Sequence, residues 1–154
     1  MATFGTYVSG QILTAAELNA GLPTCVLTNG SFTLTDGVST LVAFTSEVTD
    51  LYGWHSNTVN TSRITPNIAG TYLVTMLLTN VSGTTRALAN CQKNGSTLAA
   101  PAIITDTPGT IDDFTTVGFV TANGTTDYFE FNALVTGATK TGCAAQFSMT
   151  RITS

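Results

Sequence analysis

The sequence predicts an all-β sandwich or barrel of about ten strands, preceded by an extended arm with one short helix. Three observations predict it. Short apolar runs recur between turn signals along nearly the whole chain. After Pro23 no stretch carries the apolar stripe of a helix. Charged residues make up only 9%, with Thr, Ser, Asn and Gly in their place, where about 25% is usual. Threonine suits strands because its branched Cβ fits the pleat.

The arm comes first. In "GQILTAAELNAGLP" the residues Thr14 and Glu17 have the spacing of a capping box, in which hydroxyl and carboxylate each satisfy a free backbone N–H. Ala15, Ala16, Glu17 and Leu18 favour helix, and Gly21 followed by Pro23 ends it. So short a helix is unstable alone in water, because nucleation costs more than its few hydrogen bonds return. It must dock. Residues 1–22 therefore read as an anchor arm and 23–154 as the sandwich domain.

Candidate strands follow at Cys25–Thr28, Ser31–Leu34, Ser39–Thr45, Asn60–Ile64, Gly70–Asn80, Arg86–Lys93, Thr97–Ala102, Asp112–Thr121, Thr126–Val135 and Cys143–Ile152. Asn29-Gly30, Asn94-Gly95 and Asn123-Gly124 are hairpin-type dipeptides, since both residues tolerate positive φ. Pro66 and Pro108 fall between strands, where a missing N–H does no harm.

Two strands show their faces. In "TYLVTMLLT" one side is Tyr72, Val74, Met76 and Leu78, wholly apolar and fit for the core. The other side mixes Leu73 and Leu77 with threonines. In "DYFEFNALV" Phe129, Phe131, Ala133 and Val135 take the core side, and Tyr128, Glu130, Asn132 and Leu134 the mixed one. Mixed outer faces on two long strands point to a protein–protein interface, with cover by a loop as the alternative.

Composition narrows the function classes. Net charge is -4, and the cations Arg63, Arg86, Lys93, Lys140 and Arg151 are scattered, so no basic patch neutralises phosphates. Nucleic acid is not an expected partner. No stretch has the length of a membrane span, and the first residues lack the charge and apolar core of a signal peptide. Cys25, Cys91 and Cys143 are widely spaced, with no CxxC pair, and read as free thiols in a chain made in a reducing cytoplasm.

The segment "SRITPNIAGTYLVTMLLT" resembles the hallmark stretch of the tumour-necrosis-factor and complement globular-head superfamily. "ALANCQKNG", "VGFVTANGTTDYFEFNALV" and "AAQFSMTRI" are similar to its later strands in order and spacing, the second as a pair of strands around a Gly turn. The turn Asn123–Asp127 departs from the family's usual Gly-Asp. The resemblance implies a ten-stranded jelly-roll β-sandwich that assembles as a homotrimer. It also implies that Leu73, Thr75, Leu77, Tyr128, Gln146 and Thr150 pack near the threefold axis. A second resemblance covers the arm: "FGTYVSGQILTAAELNAG" looks like the leader of many tailed-bacteriophage virion proteins. It implies that the helix docks on another virion protein, with Phe4, Tyr7, Ile12, Leu13 and Leu18 as the apolar contacts.

Candidate chemistry is sparse. His55 is the single histidine, a loop residue, and no nucleophile–base–acid set or carboxylate pair can be placed beside it. Asp106, Asp112 and Asp113 are hard oxygen ligands of the kind calcium takes, but they lack EF-hand spacing, so no metal and no cofactor are expected. Tyr52 and Trp54, with His55, form the candidate ligand loop, a stacking platform for a sugar. The expectation is a non-enzymatic virion protein: a trimeric capsid decoration, or cement, protein bound to the major capsid protein or another virion protein. The chain shows no collagen, heptad or β-helical shaft repeat, which favours decoration over the alternative, a tail- or head-fibre adhesin for a host surface glycan.

Overall fold

The structure, a computed structural model, describes residues 22–105 and 113–153. The arm residues Phe4, Tyr7, Ile12, Leu13 and Leu18, the short helix, Asp106, Pro108 and Asp112 lie outside the described residues. In chain order the strands are β1 (Thr24–Leu34), β2 (Thr40–Leu41), β3 (Ser46–Asp50), β4 (Arg63–Ile64), β5 (Gly70–Thr79), β6 (Arg86–Lys93), β7 (Ser96–Thr105), β8 (Phe114–Ala122), β9 (Phe129–Thr136) and β10 (Lys140–Thr153). They form two antiparallel five-stranded sheets. The first runs β3-β1-β10-β5-β8; the second runs β2-β9-β6-β7, with β4 also paired to β9.

The core lies between the sheets. On β5 the side chains of Tyr72, Val74, Met76 and Leu78 are fully buried, and Phe129, Phe131, Ala133 and Val135 of β9 meet them from the second sheet. Period-two alternation therefore sorted both strands as expected. Phe44, Phe131 and Phe147 join the layers, with ring centroids 5.9 to 6.2 Å apart. Burying each such side chain contributes about 1.5–3 kcal/mol.

Several boundaries differ from expectation for identifiable reasons. Asn29-Gly30 does not turn a hairpin: the two expected strands flanking it are one strand, β1. Asn29 instead donates to the Ala43 carbonyl at 2.7 Å and accepts from the Ser31 N–H, where the register against β10 slips. Of Ser39–Thr45 only Thr40–Leu41 pairs, and the edge strand β3 follows it, unexpected because "SEVTD" is polar and short. Asn60–Ile64 shrinks to Arg63–Ile64, with Asn60 in the left-handed region.

Strands β8 and β9, expected as a pair, belong to different sheets. The connection Asn123–Tyr128 crosses between them, held by Asn123 Oδ1, which accepts from the N–H groups of Thr125, Thr126 and Asp127. Glycine is obligatory within it. At Gly124, φ is +74°, and a Cβ would sit 2.3 Å from the Ala69 nitrogen. By contrast Asn94-Gly95 makes the expected two-residue hairpin between β6 and β7, both residues at positive φ.

Candidate functional site

The outer face of the first sheet is a grid set by register. Thr150 lies opposite Leu73 and Leu73 opposite Phe119; the next rungs are Ser148–Thr75–Val117 and Gln146–Leu77–Thr115. On the far side of β10, Thr24, Val26 and Thr28 extend the same three rungs. Residues directly opposite share a face, so this grid holds twelve side chains and no charge. Leu73, Thr75, Leu77, Gln146 and Thr150 are half-buried, while Val117 and Phe119 are 56% and 64% exposed. Its apolar members are Val26 on β1, Leu73 and Leu77 on β5 and Val117 and Phe119 on β8; the other seven carry a hydroxyl or, at Gln146, an amide. Interface cores are likewise depleted of charge.

Five of the six residues expected near an assembly axis therefore share one surface. The sixth does not. Tyr128 precedes β9 on the second sheet, with the Arg63 guanidinium 3.9 Å above its ring. The mixed face of β9 is in fact covered, so the loop alternative holds there. Glu130 is 3% exposed and accepts from Ser62 at 2.8 Å and Arg63 at 3.1 Å; Asn132, 5% exposed, accepts from Ser39. Sequence reasoning missed Val117 and Phe119. In "FTTVGFVTA" both parities mix apolar residues with threonine or glycine, and only pairing with β5 decides which side faces outward.

Beside Phe119 the edges of the two sheets approach each other. A Cβ on Gly118 of β8 would lie 2.9 Å from Pro101 of β7. A groove of about 270 Å³ runs there, lined by Thr71, Lys93, Leu98, Ala100, Phe119 and Thr121. At its end Asp127 gathers three elements. It accepts from Lys93 Nζ at 2.8 Å, Asn94 Nδ2 at 2.9 Å and the Asn123 N–H at 2.9 Å, while Lys93 also donates to the Thr121 carbonyl. The Lys93 and Asn94 bonds hold the Asp127 carboxyl below its ordinary value of 3.8.

The candidate ligand loop is rebuilt by the fold. Trp54 is 2% exposed, its indole N–H donating to Asn67 at 2.7 Å and its ring edge-on to Tyr72 at 5.4 Å. It is a core residue and offers no stacking surface; its ring met the apolar interior because Asp50 caps the N–H groups of Trp54 and His55 and turns the chain inward. Tyr52 is half-buried against Trp54 at 5.6 Å. His55 faces two backbone carbonyls, Arg63 at 2.8 Å and Phe44 at 3.3 Å. A hollow of about 200 Å³ adjoins His55, Ser56, Asn60, Arg63 and Thr65.

Cys25, Cys91 and Cys143 are free and buried. Burial pushes all three thiols up, Cys91 to about 12. Burial likewise raises the Tyr72 hydroxyl to about 12, and it donates to the Ile68 carbonyl. No group of three or more His, Cys, Asp or Glu is placed to hold a metal ion among the described residues, where Asp113 accepts from the Asn80 N–H.

Two antiparallel sheets, a shared core and one open, uncharged outer face define the class: a jelly-roll β-sandwich. Solved structures with this fold include PRD1 vertex protein P5, at TM-score 0.66 and 15% identity, covering 86% of this chain and 99% of that one. The globular domain of zebrafish complement 1qA follows at 0.55 and 12%, covering 84% and 97%. Murine APRIL aligns at 0.57 and 14%, covering 84% and 99%. At these identities the likeness is one of fold. No protein-family model matches the chain, and no curated protein matches it in sequence.

Proposed function

We propose that this chain is a structural protein of a tailed-bacteriophage virion: a homotrimer that decorates and cements the capsid. The copies pack through the outer face of the first sheet, and the N-terminal arm docks on the major capsid protein or another virion protein. The observation that carries this reading is the uncharged grid on β5, β8 and β10, with Val117 and Phe119 left open to solvent. A PRD1 vertex protein among the fold neighbours supports a place in a shell, and the arm's resemblance to phage leaders supports attachment through residues 1–22. The role is read as non-enzymatic, with no cofactor. Assembly takes place in the virion after synthesis in the host cytoplasm.

Each arm offers few apolar side chains and binds weakly alone. Three on one rigid trimer act together, raising apparent affinity by about 10²–10⁴ without new contacts. The test is to locate the protein on purified particles by antibody labelling and negative-stain imaging, then to add back a form lacking residues 1–22. Many copies over the shell, and a truncated form that still associates but no longer attaches, are expected. A few copies at the tail favour the fibre adhesin. For that reading the hollow lined by His55, Ser56, Asn60 and Arg63 is the glycan candidate, with the nearly buried Trp54 in its wall.

A further inference from the structure

We infer that Asn94-Gly95 is a deamidation site that the fold holds shut, with Asp127 as the latch. In an Asn-Gly pair the glycine nitrogen attacks the asparagine Cγ with little hindrance, because glycine has no side chain beside it. The Gly95 N–Cγ bond forms, the Cγ–Nδ2 bond breaks, and Nδ2 leaves as ammonia with the amide proton. Water then opens the cyclic imide at either carbonyl, giving aspartate or isoaspartate. Closure requires the Asn94 side chain to swing until Cγ meets the Gly95 nitrogen.

The structure opposes that swing from both ends of the amide. Asn94 Nδ2 donates to Asp127 Oδ1 at 2.9 Å, and Asn94 Oδ1 accepts from the Tyr128 N–H at 3.0 Å. The Asn94 N–H is itself bonded to the Tyr128 carbonyl at 3.0 Å, and the ladder pairs Lys93 with Ser96 across the turn. Both amide bonds must break before the ring can close. The product is also disfavoured in place: a carboxylate at residue 94 would face the Asp127 carboxylate where a donor stood, and Lys93 would be shared between two anions. Residue 94 is exposed, so water and base reach it; the bonds, not burial, protect it. Of the other two Asn-Gly pairs, Asn123 is itself bonded to Asp127, so Asn29, whose amide is held by Ala43 and Ser31 instead, serves as the internal comparison.

The experiment incubates the full chain at mildly alkaline pH and follows each Asn-Gly by peptide mapping and mass spectrometry, native and in urea. Losing two hydrogen bonds to reach the reactive geometry slows native Asn94 by about tenfold or more relative to the unfolded chain. Asp127→Ala then raises the native rate at Asn94 by about tenfold, leaving Asn29 unchanged. Native Asn94 reacting at the unfolded rate would overturn the protection. An Asp127→Ala rate that stays slow, or one that rises equally at Asn29, would overturn Asp127 as the latch. Should that variant fail to fold, the native-against-urea comparison decides the protection by itself.

Discussion

Phe119→Ala separates a ring held for the fold from a ring held for a partner. Phe119 is 64% exposed in the single chain. A phenylalanine carries about 150–250 Å² of buriable surface, so about 100–160 Å² await cover, worth about 2.5–4 kcal/mol per copy at ~25 cal/mol per Å². Over three copies this reaches about 7–12 kcal/mol, an upper bound that still spans several powers of ten in the association constant. The fold itself loses only the smaller part of the ring already covered. Light scattering and sedimentation across a dilution series provide the assay. Wild-type protein should run near three times 16.0 kDa at micromolar concentration, and Phe119→Ala should dissociate at far higher concentration with its strands intact by circular dichroism. A variant that associates as tightly as wild type refutes the place given to Phe119. A wild-type monomer refutes the self-association face altogether.

Neighbouring residues on β5 should behave in opposite ways. Leu78→Asp buries an unpaired carboxylate in the core, costs several kcal/mol of a stability of about 5–15, and prevents folding. Leu77→Asp, on the open grid, should fold but fail to associate, read by the same scattering assay. Asp127 adds an acid-sensitive component to stability. Its folded value is depressed, so its contribution is complete above the unfolded value near 3.8 and disappears as pH falls through the lower folded one. Urea midpoints between about pH 5 and pH 2 should therefore drop less steeply in Asp127→Asn. The three thiols should resist a thiol reagent at pH 8 in the native chain and react at once in urea, since burial keeps them protonated; fast native reaction at Cys91 would show that its strand opens.

What the amino-acid sequence determined alone is what neighbours along the chain decide. Alternation marked Tyr72, Val74, Met76 and Leu78 as core, and the Asn94-Gly95 pair marked a hairpin, because pleat and turn preferences act over a few residues. Tertiary structure decided what depends on distant partners. The polar pair Asn29-Gly30 became a bulge because Ala43 supplied an acceptor. Trp54 entered the core because Asp50 turned its loop and Asn67 satisfied its N–H. Glu130 and Asn132 lost their place on an open face once Ser62, Arg63 and Ser39 covered them. Phe119 gained one because β8 pairs with β5. Each outcome turns on pairing between segments far apart in the chain, and period-two alternation says only that neighbours face opposite ways, never which sheet or which partner waits on either side.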